Sequence, residues 1–386
     1  MQRTDVEYAV LGAGIMGVSA AFYLNELGHD VMLIDRKAVG EEASGRNAGS
    51  LSLQNKPYPI IPLCKGGIRT WKELETEIGG LGFKQSGGFR VAETPEQASF
   101  LDEDLAERNR YGLDVERVPA DQVCEMAPYL STHLTAVNYC AWDSYADARV
   151  ATQRIALAAS DRGVHVVTHS PVIDLTPLDT HRIAIQTAAA EYICRKLLVA
   201  SGIWTKGIAE WLDVSLPINM RINQMIVTPR LPRIISHMIT HASGNLTLKQ
   251  VDCGSVLIGG GWPGDGDLER DIKLPRYDSV VGNASVAVRV VPALADVEAV
   301  RTWAGLDGRT EDQLPILGPL PGNANVFLAS SCFGGYVAGP YIGKLMAQKM
   351  SSGCAEIDLA PFSPGRYSTE GSPQGGEANC RRSSTY

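Results

Sequence analysis

The sequence predicts an α/β fold: a discontinuous Rossmann-like domain that binds a dinucleotide, with an inserted antiparallel-sheet domain for a substrate. Three observations carry this. The chain opens on strand, glycine turn, helix and a second strand ending in an acid. Strand–helix units return around residues 164–215 and after 326. Between them, residues 218–258 alternate short strand patterns with turns, the pattern of an antiparallel sheet.

Val6 to Leu11 is apolar on both faces, as a buried parallel strand is. The turn Gly12-Ala13-Gly14-Ile15-Met16-Gly17 has the spacing G-x-G-x-x-G. Gly12 lets the chain turn sharply, Gly14 leaves room for a pyrophosphate, and Gly17 lets the helix lie close on the strand. The helix runs to about Leu27 and is closed by Gly28; the strand Val31–Ile34 ends at Asp35. Free N–H groups and the dipole at the helix start favour a diphosphate. An acid at 35 suits ribose hydroxyls and favours FAD or NAD over NADP.

The polar segment after Arg36 is too long for an ordinary strand–helix connection. Its Ser44, Arg46, Asn47, Gly49 and Ser50 offer donors for phosphate and for a ring carbonyl. Further on, the pattern predicts helices over 68–78, 95–111 (capped by Thr94, with Pro95 in its first turn), 120–129 and 150–163, and a hairpin over 83–92. Strands follow at 164–167, 171–175 and 191–200, the last running into Ser201-Gly202-Ile203-Trp204, a second place for a cofactor to meet backbone. A helix over 277–291 and strands at 299–306 and 326–329 precede a late glycine turn, Gly334-Gly335, and a helix to about Met350. The reading assigns 1–80, 145–215 and 300–367 to the nucleotide domain and 81–144 and 216–299 to the substrate domain. The Gly/Ser-rich tail 368–386 reads as disordered.

Net charge of −8 gives no sign of binding to nucleic acid or anionic membrane. No run of about 18 apolar residues and no signal peptide are seen, so a cytoplasmic protein without a membrane span is expected. The cysteines are scattered with no C-x-x-C, and His237 and His241 lack a third ligand nearby, so no metal is expected in this chain.

The ordered set VLGAGIMG, SGRNAGSL, VASGIW, RTWAGLDGRTEDQLPILGPL and FGGYVAGPYIGKLMA resembles the D-amino-acid-oxidase-like flavoproteins over residues 6–367. Within them the chain is most similar to the B subunits of opine (octopine or nopaline) oxidases, near the β subunits of proline, hydroxyproline and sarcosine dehydrogenases. The resemblance implies FAD held without a covalent bond. Gly12, Ala13, Gly14, Ile15, Met16 and Gly17 would hold the diphosphate, with Asp35 on the ribose and Arg36 by the adenosine. Ser44, Arg46, Asn47, Gly49, Ser50 and Leu51 would line the path to the flavin, and Val172 would meet adenine through its backbone. Ser201, Gly202 and Trp204 would close the channel, while Gly305, Gly334, Gly335, Tyr336 and Val337 would lie along the ring. A helix start there stabilises the negative charge a flavin gains on reduction.

Departures from the pattern matter too. Monomeric sarcosine oxidases carry a flavin-linking cysteine where this chain has Thr302, and an oxygen-activating lysine where it has Leu257. They also carry a histidine and a lysine, which clamp carboxylate, where it has Gly335 and Ala338. These changes imply a dehydrogenase in a hetero-oligomer, passing electrons to partner subunits that hold or share FMN and an iron–sulfur cluster. The implied reaction is hydride transfer to flavin from the C–H beside nitrogen of a secondary-amine amino acid, giving amino acid plus 2-oxo acid. Lys249, Gln224 and Tyr336 are the catalytic candidates, with Gln250 and Trp262 nearby; a solvated strand face is the competing reading for Lys249 and Gln224. Proline, hydroxyproline, sarcosine or glycine as substrate, a non-catalytic flavin relay and an NAD dehydrogenase are the alternatives.

Overall fold

The computed structural model describes residues 2–330 and 333–367; the reading of a disordered tail lies outside them. Two eight-stranded sheets organise the chain. In the first, Gln2–Leu11 lies between Ala190–Val199 and Val31–Ile34, all parallel, with Asn323–Ser330 and His165–Val167 parallel outside them. Ile316–Leu320 and the Val172–Pro177/Ile183–Thr187 hairpin add antiparallel edges. The second sheet runs 301–309, 219–230, 255–259, 247–250, 238–241, 88–92, 136–140, 115–117. It is antiparallel except where Met238–His241 pairs with Gly88–Ala92.

The first helix, Ile15–Glu26, is buried along most of its length. It has no polar face because it lies under the last helix, Gly335–Ser352, and against Ala151–Asp161. Missing side chains let it approach the last helix closely. A Cβ on Gly339 would stand 2.6 Å from Ile15 Cγ2, and one on Gly343 2.6 Å from Ser19 Cβ. This packing sets the starts of the two helices side by side.

Three sequence expectations need correction. Residues 83–92 form no hairpin: Gly88–Ala92 is a single strand whose partners are Ala136–Cys140 and Met238–His241. The helix expected over 68–78 begins at Ile61. Gly66-Gly67 reads as a break in sequence, yet here the pair admits the last helix: Cβ atoms would fall 2.3 Å from the Tyr341 ring and 2.1 Å from Val337 O. Strand Arg301–Arg309, assigned to the nucleotide domain, pairs with Asn219–Arg230 in the second sheet.

A buried ionic network ties the second sheet to the loop before that helix. Asp104 accepts from Arg90 Nη1 (2.7 Å), Arg108 Nε (2.6 Å) and Tyr58 OH (2.9 Å). The guanidiniums also hold the carbonyls of Gln54 (2.7 Å), Leu53 (3.0 Å) and Lys56 (3.1 Å). Asp104→Asn leaves two buried cations without their counter-charge. The expected loss is about 3 kcal/mol in urea unfolding, with the slope against denaturant unchanged.

Candidate active site

Both glycine turns border one cavity of about 1060 Å³. Gly12 has φ +106° and a Cβ there would lie 2.5 Å from Ala200 O; Gly334, before the last helix, has φ +114°. At the first helix, Ser44 Oγ accepts from Ile15 N at 2.9 Å. It satisfies one of the N–H groups that a phosphate oxygen would otherwise take.

Asp35 fixes the turn from the other side. Its two oxygens accept from Ala13 N (2.6 Å) and Lys37 N (2.7 Å), and burial raises its carboxyl above the usual range. The Arg36 guanidinium lies 3.8 Å over the Trp204 ring, making a flat wall at this end. Trp303 Nε1 donates to Arg46 O at 2.7 Å, and a Cβ on Gly305 would stand 3.0 Å from Arg46 Cβ. A side chain at 305 would therefore push the 43–50 segment off the strand behind it.

Every residue expected along the cofactor lines this cavity except Ala13, Gly17, Gly49 and Leu51. These four are under its wall: Gly17 against Gly12 O, Gly49 against Ala146 O, Ala13 and Leu51 in the core. Arg36, Ser50 and Gln224 are among the lining residues; Arg36 Nη2 faces the Glu42 and Asp271 carboxylates, each at 3.6 Å, while Ser50 Oγ and Gln224 Nε2 are buried with no hydrogen-bond partner. A cavity bordered by two helix starts and lined by polar residues suits a polar, extended ligand such as FAD.

The catalytic candidates separate. Gln224 is 1% exposed, not a solvated residue; its Oε1 accepts from Arg276 N at 2.9 Å while Nε2 is buried without a partner, on the sheet face it shares with Ala304. Lys249 is also 1% exposed and lies outside the lining. Its Nζ sits 3.4 Å from Ala146 O, 4.8 Å from the Tyr145 ring centre, and behind Gly49, whose Cβ would meet it at 3.0 Å. Burial brings this amine down to about 7, against the pull of Asp147. The register sets Lys249 directly opposite Leu257. An amine thus stands one strand away on the same sheet face as the position expected to leave that face uncharged.

Tyr336 turns its ring into the core, 5.2 Å from Trp71, and burial, with Asp147 adding to it, pushes its phenol far up. Its hydroxyl is buried with no hydrogen-bond partner. Gln250 spends its amide on Ile234 N, Ile235 N, Pro232 O and Gly254 O, holding a turn. Trp262 donates to Asn245 O and packs on Gly282. His237 pairs with Tyr129 OH, and His241 with Ser243.

Sequence reasoning missed two features. Lys37 and Lys273 both donate to Glu42, at 2.6 and 2.9 Å, fastening the 265–274 hairpin over the segment that follows Asp35. Near the late glycine turn, Phe333 lies under Arg309 (4.3 Å) and Lys56 (5.0 Å). Charge spacing along single segments gave no sign of either, because the partners come from distant parts of the chain.

Among the described residues no helix is long and apolar enough to cross a membrane. The chain is 22% identical over 402 residues to dimethylglycine dehydrogenase of Rattus norvegicus, covering 99% of this chain but only 47% of that protein. The B subunit of opine oxidase from Rhizobium meliloti is 23% identical over 95% of this chain and 99% of its own length. The crystal structure of L-proline dehydrogenase from P. horikoshii superposes with a TM-score of 0.87 over 95% of this chain and 98% of that one, at 22% identity, and so shares the fold. Residues 7–349 match the DAO family of FAD dependent oxidoreductases; with the glycine cradle and the cavity it borders, this places the chain in that family, as an FAD-dependent oxidoreductase.

Proposed function

We propose that this chain is the catalytic FAD subunit of a hetero-oligomeric dehydrogenase. Its donor is a secondary-amine amino acid of the opine type, oxidised to an amino acid and a 2-oxo acid. The single cavity that both glycine turns border carries the reading, because Arg221, Asn223 and Met225 of the inserted sheet line it together with the cofactor cradle. The opine oxidase relative, itself one component of a larger enzyme by its name, supports the multi-chain assembly, and Thr302 in place of cysteine supports a non-covalent cofactor.

Bound FAD would supply the hydride acceptor. The chain's own part is to hold and orient. The cradle at Gly12–Met16 and Asp35 anchors one end, and the start of the last helix turns its positive pole on the other. The inserted sheet, through Asn223 and Met225 in the cavity lining, covers the donor. The amine must be neutral when its C–H reacts, so binding the unprotonated form serves better than a strong base. The imine then takes up water and splits.

The purified protein is expected to be yellow and to bleach within one turnover when mixed anaerobically with an opine. Proline, hydroxyproline, sarcosine and glycine run beside it would rank the alternatives. A yellow protein that none of them bleaches would instead be an electron relay. Fast oxygen consumption by the isolated chain would remove the partner from the scheme.

A further inference from the structure

The hairpin Asp265–Asp267/Ile272–Leu274 forms a two-stranded sheet of its own. Both its feet stand on the second sheet. Gly264 N donates to Ile222 O at 2.9 Å, and Arg276 N to Gln224 Oε1 at 2.9 Å, which gives the buried Gln224 a task. The tip crosses to residues 36–42, which follow the first sheet's Val31–Ile34 strand, and charge holds it there. Lys273 Nζ donates to Glu42 Oε1 (2.9 Å) and Oε2 (3.0 Å) and to Asp271 Oδ1 (2.7 Å). Lys37 Nζ donates to Glu42 and to Asp271 as well. With Arg36, three cations enclose two carboxylates, and the Lys273 side chain is only 6% exposed. Apolar packing adds less. Leu268 touches the cluster that also takes in Trp204 and Ile208, while Ile272 and Leu274 turn outward, 38% and 57% exposed. A lone hairpin is marginal in water, so the ions decide whether the tip stays down. Beneath it Arg36, Lys37, Glu41 and Glu42 line the cofactor cavity.

We propose that this hairpin is an ionic strap over the cofactor cavity, and that FAD enters and leaves when Asp271 and Lys273 lift from Lys37 and Glu42. It needs the FAD of the family and no particular amine donor. Residues 36–42 are bends and turns, tied to the glycine turn by Gly40 N on Ala13 O at 3.0 Å and to Asp35 by Lys37 N. With the tip down, the ions brace this wall from outside; with the tip up, the wall has a free outer face. A catch made of charges opens without baring core, and ionic strength weakens it. A strap that gates exchange sets the barrier in both directions. Loosening it speeds entry and release together and leaves affinity nearly unchanged, whereas loss of a mere prop would speed release alone.

The test is FAD exchange on the full chain. Entry is followed by fluorescence quenching after FAD is mixed with the stripped protein, and release by dilution of the loaded protein into a flavin-scavenging apoprotein. Asp271→Asn, which suits the left-handed φ of +55° there, and Lys273→Met should each raise both rates about tenfold, as the opening of a part-buried ion network would give. Lys273→Arg should stay near the parent. Arg270→Ala, one residue from Asp271 but 77% exposed, should change neither rate. Release is unimolecular, so in the parent it should quicken from about 50 mM to about 1 M KCl, and that response should fade in Asp271→Asn and Lys273→Met. An unchanged melting point of the stripped variants shows that they fold. Faster release without faster entry overturns the gate, as do rates that neither variant moves. Parent release indifferent to salt overturns it without any variant.

Discussion

Gly17→Ala is expected to give a colourless protein. A Cβ on Gly17 would stand 1.8 Å from Gly12 O and 3.0 Å from Gly12 C. Both are backbone atoms, so no side chain can swing aside. The turn itself lies close against the end of the neighbouring parallel strand, where a Cβ on Gly12 would fall 2.5 Å from Ala200 O, so it has little room to retreat. The methyl must therefore lift the first helix from the turn. That moves Ile15 N off Ser44 and withdraws the helix start from the cavity it borders. Overpacking alone costs about 1–3 kcal/mol, and more where backbone meets backbone. Gly14→Ala is the contrast. Its nearest neighbour is the Ser44 hydroxyl at 3.1 Å, a side-chain end that can give. That protein should fold normally and lose only affinity, because the methyl stands where the phosphates approach. FAD titration by fluorescence quenching, run beside thermal unfolding, separates the outcomes: Gly17→Ala lowers both, Gly14→Ala the first alone. A yellow Gly17→Ala protein with its full melting point would mean the turn does not carry the cofactor.

The difference between what could and could not be read lies in how local each signal is. The first turn was legible because consecutive elements within some thirty residues carry it, from the strand through to Asp35. The strand at 88–92 was legible, but its partners come from 136–140 and 238–241, and no turn chemistry links them. The same holds for Arg301–Arg309, whose strand character was plain and whose sheet was not. Tyr336 shows a subtler limit. Its place after the glycine turn was right, while the direction of its ring depends on how the last helix packs against Trp71 and the Gly66-Gly67 pair. Lys249 reads as a polar residue in a strand and hence as solvated. It is buried because the second sheet is covered on both faces, by the Tyr277–Val290 helix and by the segment around Gly49 and Ala146. Period-two alternation presumes one wet face.

Lys249→Met is expected to stabilise the protein while impairing it. In the unfolded chain the amine titrates near its ordinary value of 10.5; in the fold burial brings it to about 7. Between these values the unfolded chain holds a proton that the folded one has released, so stability rises with pH across this window. Below about 7 the folded protein must carry a buried ammonium, and the full penalty applies. At 1.36 kcal/mol per pH unit the span amounts to about 5 kcal/mol. Met keeps the length of the side chain and removes the charge, and apolar replacement of buried ions is often stabilising. The variant should therefore be the more stable below about pH 7, by up to about 5 kcal/mol, with the gap closing as pH approaches about 10. Urea unfolding of both FAD-saturated proteins over this range measures it, and parallel pH profiles would show that some other group carries the titration. A residue this costly, set directly behind the Gly49 wall, is where function is expected to sit. Anaerobic bleaching by the amine donor should be slower in Lys249→Met at every pH. A variant that gains stability and keeps its bleaching rate would make the lysine a packing residue.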